Sequence, residues 1–167
     1  MKPPRRIFAL ATAIACLALY GATTATAAGT TTLTFKETEK GSTFTFVDNA
    51  PTSKKVHGFP ARISPGDEII ITNPLTEGGK TIGKLRAMCT ATASAKTNNP
   101  EPFVAAHFIC EGVFYFGGSS LYGNGSIVKG GTEGVETGGT GRYAGASGTF
   151  VSKEGKGGAT TTVTLFG

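Results

Sequence analysis

The sequence predicts an all-β protein, a single barrel or sandwich of antiparallel strands, and three observations carry that expectation. Apolar residues recur at every second position in run after run, with β-branched residues frequent and turn residues between the runs. The chain holds 25 glycines, 11 phenylalanines and no tryptophan, and only 16% of it is charged, which suits pleated, closely packed strands better than solvated helices. Near the C-terminus, Thr137-Gly-Gly-Thr-Gly-Arg-Tyr-Ala-Gly-Ala-Ser-Gly148 sets five glycines in twelve residues between two strand-like runs. Glycine alone reaches positive φ without steric cost, so a cluster this dense prescribes a backbone path.

Residues 1–27 read as a secretory signal peptide and stand outside the fold. Lys2, Arg5 and Arg6 form a basic start, residues 7–20 are apolar, and Ala25-Thr26-Ala27 offers an Ala-x-Ala cleavage site. The apolar run falls short of the about 20 residues that span a membrane. The expectation is a secreted, extracellular protein, cleaved near Ala27, with no membrane attachment afterwards. Residues 28–167 are then one barrel domain, long enough to bury a core. Losing the leader takes the formal charge from +5 to +2, with 13 Lys and Arg left against 11 Asp and Glu. No dense basic cluster with interleaved aromatics remains, so no nucleic-acid partner is expected.

Each element follows from local pattern. Residues 30–37 alternate with Leu33 and Phe35 on one face, and residues 42–47 repeat this with Phe44 and Phe46. Residues 48–65 carry Pro51, Pro60 and Pro65 among polar residues and read as a long loop. Pro65-Gly66-Asp67 turns into a strand over 68–72, whose Ile69-Ile70-Ile71 run predicts burial on both faces. Asn73-Pro74 is expected to end it, since proline has no N–H for the ladder.

After Glu77-Gly78-Gly79, residues 80–95 alternate Lys84, Arg86 and Met88 with Gly83, Leu85, Ala87, Cys89 and Ala91. The second set is small and apolar, as the crowded inside of a barrel requires. Residues 105–116 follow, with Phe108, Cys110, Gly112, Phe114 and Phe116 on one face. Gly117-Gly118 leads to a strand over 120–128, and Val135 begins another. Residues 143–152 and 159–166 complete seven to nine strands, with no helix expected beyond the leader.

Cys89 and Cys110 remain after cleavage, and in an exported protein the default for such a pair is a disulfide. If residues 80–94 and 105–116 pair around Asn98-Asn99-Pro100, a register summing to 199 sets the two cysteines opposite each other. Two buried free thiols are the alternative.

Several chemistries are disfavoured. The glycine motif lacks Rossmann and P-loop spacing and leads into a strand, so a turn between barrel strands fits it, with Arg142 and Tyr143 packed over it. His57 falls in the long loop and His107 on the polar face of its strand, without metal-ligand spacing, so no metal is expected. Gly118-Ser119-Ser120-Leu121 lacks the strand–helix context of a nucleophile elbow. Asn124-Gly125-Ser126 has the form of a glycosylation sequon and equally that of a turn.

The Thr137–Gly148 stretch resembles the Thr-Gly-Gly-x-Gly-x-Phe/Tyr-x-Gly-Ala-x-Gly signature of the allene oxide cyclase/dirigent barrel superfamily. Three further pieces agree in order: Pro65-Gly66-Asp67 resembles a strand-opening turn, and Asn73-Pro74-Leu75 with Gly83 and Cys89 resembles a cyclase segment. Phe114-Tyr115-Phe116-Gly117 with Gly125 resembles a cyclase hairpin. Together they span residues 65–152, and exported bacterial dirigent-like proteins are similar also in their paired cysteines.

The resemblance implies an eight-stranded antiparallel barrel, commonly a homotrimer, with an apolar pocket in its mouth and no metal or organic cofactor. Allene oxide cyclases fold a reactive fatty-acid epoxide for ring closure, and dirigent proteins hold phenoxy radicals so that they couple with one stereochemistry. Both work by restraining geometry, with a few polar groups steering charge. Asn73 falls where the cyclase has a pocket asparagine, and Cys89 where it has a pocket cysteine. The cyclase's N-terminal acidic and asparagine residues correspond on the simplest alignment to Lys36 and Thr38. Its pocket tyrosine falls near Ile127, with Tyr122 the nearest alternative.

The functional expectation is an exported, cofactor-independent isomerase or cyclase, or a coupling guide, for a small apolar or aromatic molecule. Asn73 is the candidate catalytic residue, and Leu85, Cys89, Phe114, Phe116 and Tyr122 are the candidate ligand-binding residues. One alternative is a binding protein that sequesters the same class of ligand without chemistry. Another is a barrel filled by its own side chains, with its role on the surface. Convergent polar groups in an apolar cavity favour the first.

Overall fold

The computed structural model describes residues 29–57 and 59–166; the expected signal peptide lies outside them. Nine strands form the main sheet: β1 (Thr30–Thr38), β2 (Thr43–Val47), β3 (Glu68–Glu77), β4 (Lys80–Ala91), β5 (Phe108–Phe116), β6 (Ser119–Val128), β7 (Gly131–Thr140), β8 (Ser147–Gly155) and β9 (Gly158–Phe166). Their order is β1-β9-β8-β7-β6-β5-β4-β3-β2, every neighbour antiparallel. Pairing of Lys36 with Thr76 and Glu37 with Leu75 joins β1 to β3 and closes an eight-stranded antiparallel barrel. Closure removes the free edges that an open sheet exposes. β2 continues along β3 where β1 leaves off.

The handover from β2 to β1 explains why β3 does not stop at Asn73-Pro74. On that edge pairing passes from Thr72 with Thr43 to Leu75 with Glu37, and no partner faces residues 73 and 74. The ladder is already broken there, so a residue without an N–H is tolerated, while Pro74 still opposes Lys84 on β4. The Ile69-Ile70-Ile71 run also differs from expectation. Ile69 is buried, but Ile70 is 45% exposed on the outer face, as strand alternation requires.

The alternation of β4 and β5 holds along both strands, with Leu85, Ala87, Cys89 and Ala91 inward and Lys84, Arg86 and Met88 exposed. Cys89 opposes Cys110, Leu85 opposes Phe114, and a disulfide joins the cysteines with S–S 2.04 Å.

Two clusters fill the barrel from opposite ends. One gathers Phe35, Leu75, Phe116, Leu121, Tyr143 and Leu165 at the end where β5 turns into β6 and β7 into β8. The glycine motif makes the second of these turns: a 3-10 turn at Gly141–Tyr143 drops Tyr143 onto Phe116, ring centroids 5.6 Å apart. The guanidinium of Arg142 lies 4.7 Å from the Tyr143 ring. Gly139 is needed there for close approach, because a β-carbon on it would come within 2.5 Å of the Tyr143 carbonyl and 2.6 Å of that of Ser120.

The other cluster gathers Ile63, Ile69, Phe108 and the disulfide beneath loops 48–67 and 92–107. These loops carry two short strand pairings, Arg62–Ile63 with Ala95–Lys96 and Lys55–Val56 with Phe59–Pro60, and an unexpected four-residue helix, α1 (Pro102–Ala105). The fully buried Asp67 ties the first loop down, accepting from the amides of Asn49 at 2.9 Å and Ser64 at 2.7 Å. His107 lies in the turn before β5 rather than on the strand's polar face, with φ +50°.

Candidate functional site

Between the clusters the barrel keeps an interior cavity of about 190 Å³. Its walls are apolar: Ile71 from β3, Leu85 and Ala87 from β4, Phe114 from β5, Phe150 from β8, and the Cys89–Cys110 bridge. Phe114 and Phe150 meet edge to face, centroids 5.9 Å apart. Glycines open the wall opposite Phe150. A β-carbon at Gly125 would come within 2.8 Å of its ring, and one at Gly134 within 2.7 Å. Gly131, Thr132, the exposed Glu154 and Ala159 border the cavity where β6 turns into β7 and β8 into β9, marking its mouth.

The polar part of the cavity is built around Glu37. It shares the inward face of β1 with Leu33 and Phe35 and is buried. Its Oε2 accepts from the Asn73 side-chain amide at 2.9 Å. Its Oε1 accepts from the Ser152 hydroxyl at 3.1 Å and from the Thr161 hydroxyl, which also lies 3.0 Å from Ser152 Oγ. Four strands therefore position one carboxyl group: β1 carries it, and β3, β8 and β9 each direct a donor at it.

A second carboxyl group lies deeper. Glu136 faces inward from β7, only 2% exposed, and neither oxygen has a hydrogen-bond partner. Its cross-strand neighbours are Gly123 and Gly148, so no side chain opposes it. A β-carbon on Gly123 would sit 3.1 Å from Glu136 Oε2 and 3.2 Å from the Phe150 ring, placing the carboxyl group just behind the cavity wall. Burial raises its pKa from 4.5 to about 7, because removal from water penalises the charged form.

Of the residues expected from sequence, Asn73, Leu85, Cys89 and Phe114 line the cavity, and so does Ile127. Phe116 does not; it is buried in the closed end against Phe35 and Tyr143. Tyr122 points outward and is 39% exposed, since its strand turns Leu121 and Gly123 inward instead. Lys36 is exposed, and the carboxylate beside Asn73 comes from the next residue, Glu37. Glu37, Ser152, Thr161 and Glu136 escaped the sequence reading. For Glu37 the parity with Leu33 and Phe35 was the available signal. Among the described residues, no group of three or more His, Cys, Asp or Glu side chains is placed to hold a metal ion.

No protein-family model matches the chain, and no curated protein matches it. Solved structures do. A pyocyanin demethylase superposes with a TM-score of 0.60 at 19% identity, over 81% of this chain and 99% of its own. A pterocarpan synthase dirigent protein superposes with a TM-score of 0.46 at 17% identity, over 83% of this chain and 84% of its own. At these identities the likeness is one of fold. The chain folds as a closed, eight-stranded antiparallel barrel, and the superposition on the demethylase is a likeness of that fold.

Proposed function

We propose that the protein is an exported, cofactor-independent barrel that encloses one small, largely apolar molecule and steers its rearrangement, as an isomerase or cyclase would. The observation that supports this reading is the convergence of Asn73, Ser152 and Thr161 on Glu37 inside an otherwise apolar cavity. A barrel that only filled its interior, or only sequestered a hydrocarbon, has no use for a buried carboxyl group held from three strands.

The volume favours a unimolecular reaction. A cavity of about 150 Å³ takes one benzene molecule, and drug-sized ligands occupy roughly 300 Å³ or more. At about 190 Å³ the interior suits a one-ring molecule. Two aromatic partners side by side, or an extended fatty-acid epoxide, would exceed that interior volume and have to reach past the mouth. Leu85, Phe114 and Phe150 confine the body of the ligand, Glu37 holds its polar group, and Asn73 orients Glu37. Glu136, protonated below about pH 7, lies behind Gly123 and Phe150 as a nearby group able to give or take a proton.

Native mass spectrometry of the protein secreted by its producing culture tests this reading. A co-purifying or added one-ring compound is expected to stay on the wild type. It should leave the Ala87→Leu variant, which fills the cavity while keeping the fold. An empty barrel that refuses such compounds overturns the proposal.

A further inference from the structure

The charges around the cavity say more about the ligand than its volume does. The lining includes Glu37 and Glu154 and no lysine or arginine. Glu136 adds a third acidic group behind Gly123 and Phe150. Among the described lysines at that end, Lys129 is engaged with Glu101 on the outside, Nζ to Oε1 3.2 Å, and the exposed Lys153 on β8 and Lys156 in the β8–β9 turn are not part of the lining.

Glu37 is also not saturated. A carboxylate offers about four acceptor positions. Ser152 and Thr161 take those on Oε1, and Asn73 takes one on Oε2. One position on Oε2 remains, on a group that lines the cavity. The walls include the rings of Phe114 and Phe150, and aromatic rings attract cations when water is excluded. An anionic ligand finds no counter-charge here, and a neutral hydrocarbon leaves the open acceptor unpaired.

We propose that the cavity selects a one-ring organic cation that presents an N–H, such as a protonated amine or an N-heteroaromatic ring, and that the free Oε2 position of Glu37 receives that N–H. This rests on the small-molecule reading above and narrows its ligand class. Glu154 at the mouth draws the cation in, and the Phe114–Phe150 pair flanks its apolar body. Glu136 strengthens the same preference above neutral pH. Its cross-strand neighbours, Gly123 on β6 and Gly148 on β8, and Phe150 beside it are not titratable.

Three probes of similar size and different charge separate the possibilities: benzylammonium, benzyl alcohol and benzoate, titrated calorimetrically at pH 7 into the full-length mature protein. Benzylammonium is expected to bind at least ten-fold more tightly than benzyl alcohol, with no detectable binding of benzoate. Glu37→Gln, checked for its fold by circular dichroism, should cut the cation preference below about three-fold. Glu154→Gln, at an exposed position, should weaken benzylammonium two- to three-fold. Benzyl alcohol binding as tightly as benzylammonium overturns the charge selection while leaving the one-ring site standing. Unchanged cation preference in Glu37→Gln overturns the assignment to Glu37, whatever Glu154→Gln does. If no probe binds, the small-molecule reading fails with it.

Discussion

The Asn73 side-chain amide donates to Glu37 Oε2 at 2.9 Å, joining β3 to β1 beside the two-residue pairing that closes the barrel. The contact has a structural consequence as well as a chemical one. Glu37→Ala leaves the hydroxyls of Ser152 and Thr161 without their acceptor in a buried setting. A loss of about 1–3 kcal/mol is expected. Glu37→Gln keeps the volume and one carbonyl oxygen and should lose less. Urea unfolding of the two variants side by side checks the order.

Glu136 makes stability depend on pH in an uncommon direction. Its folded pKa, about 7, lies above the ordinary 4.5. Between these values the unfolded chain has lost the proton and the folded chain keeps it, so the folded state binds more protons. Stability contributed by this group is therefore fully present below about pH 4.5, falls as pH rises towards 7, and is flat above. The fall amounts to about 1–3 kcal/mol. Glu136→Gln should gain on the wild type between pH 5 and 7, and the gap should level off by pH 8. Unfolding midpoints at four pH values measure it; a constant gap would show that burial does not govern this carboxyl group.

Two adjacent glycines in the signature should respond oppositely to the same change. A β-carbon on Gly139 meets the carbonyls of Tyr143 and Ser120 within 2.6 Å, whereas one on Gly138 meets nothing within 4 Å. Gly139→Ala is expected to destabilise by about 1–3 kcal/mol or more, since backbone cannot move aside cheaply. Gly138→Ala should be neutral or stabilising by about 0.5 kcal/mol through the reduced freedom of the unfolded chain. Thermal melts of the pair decide this.

The Cys89–Cys110 bridge spans 21 residues of chain. Strand pairing already sets these residues opposite each other, so the bond acts chiefly on the unfolded state. Replacing both cysteines by alanine should cost about 3 kcal/mol by loop-closure entropy and leave the barrel register unchanged. Denaturation of the double variant measures the first part, and amide exchange across β4 and β5 measures the second.

What the sequence made legible was whatever alternation encodes. Strands β4 and β5 interleave small apolar and polar residues so regularly that their inward faces followed from one-dimensional pattern, and the register weighed for the cysteine pair is the one the strands adopt. Alternation reports the face of a residue and not its depth along the barrel axis. Phe114 and Phe116 share a face, yet only Phe114 reaches the cavity. The resemblance drew attention to Lys36 and not to its neighbour, and in a strand one residue is the other side of the wall. Lys36 is outside and Glu37 inside.

Glu136 was hidden for a different reason. It follows Thr132 and Gly134 on its face, and neither announces an interior. The register of its strand against β6 shifts right beside it, where Thr137 on β7 is the extra residue between the Tyr122–Gly138 and Gly123–Glu136 pairs. Pro74 likewise sits inside a strand only because two partners meet beside it, a fact that no local rule contains.

The Tyr143–Phe116 contact plugs one end of the barrel, and at the other end the cavity is bordered by the β6–β7 and β8–β9 turns. Under the proposed function, a molecule that enters there leaves by the same route before the next one arrives. Substrate and product of a one-ring rearrangement would then exclude each other, and product inhibition should be competitive.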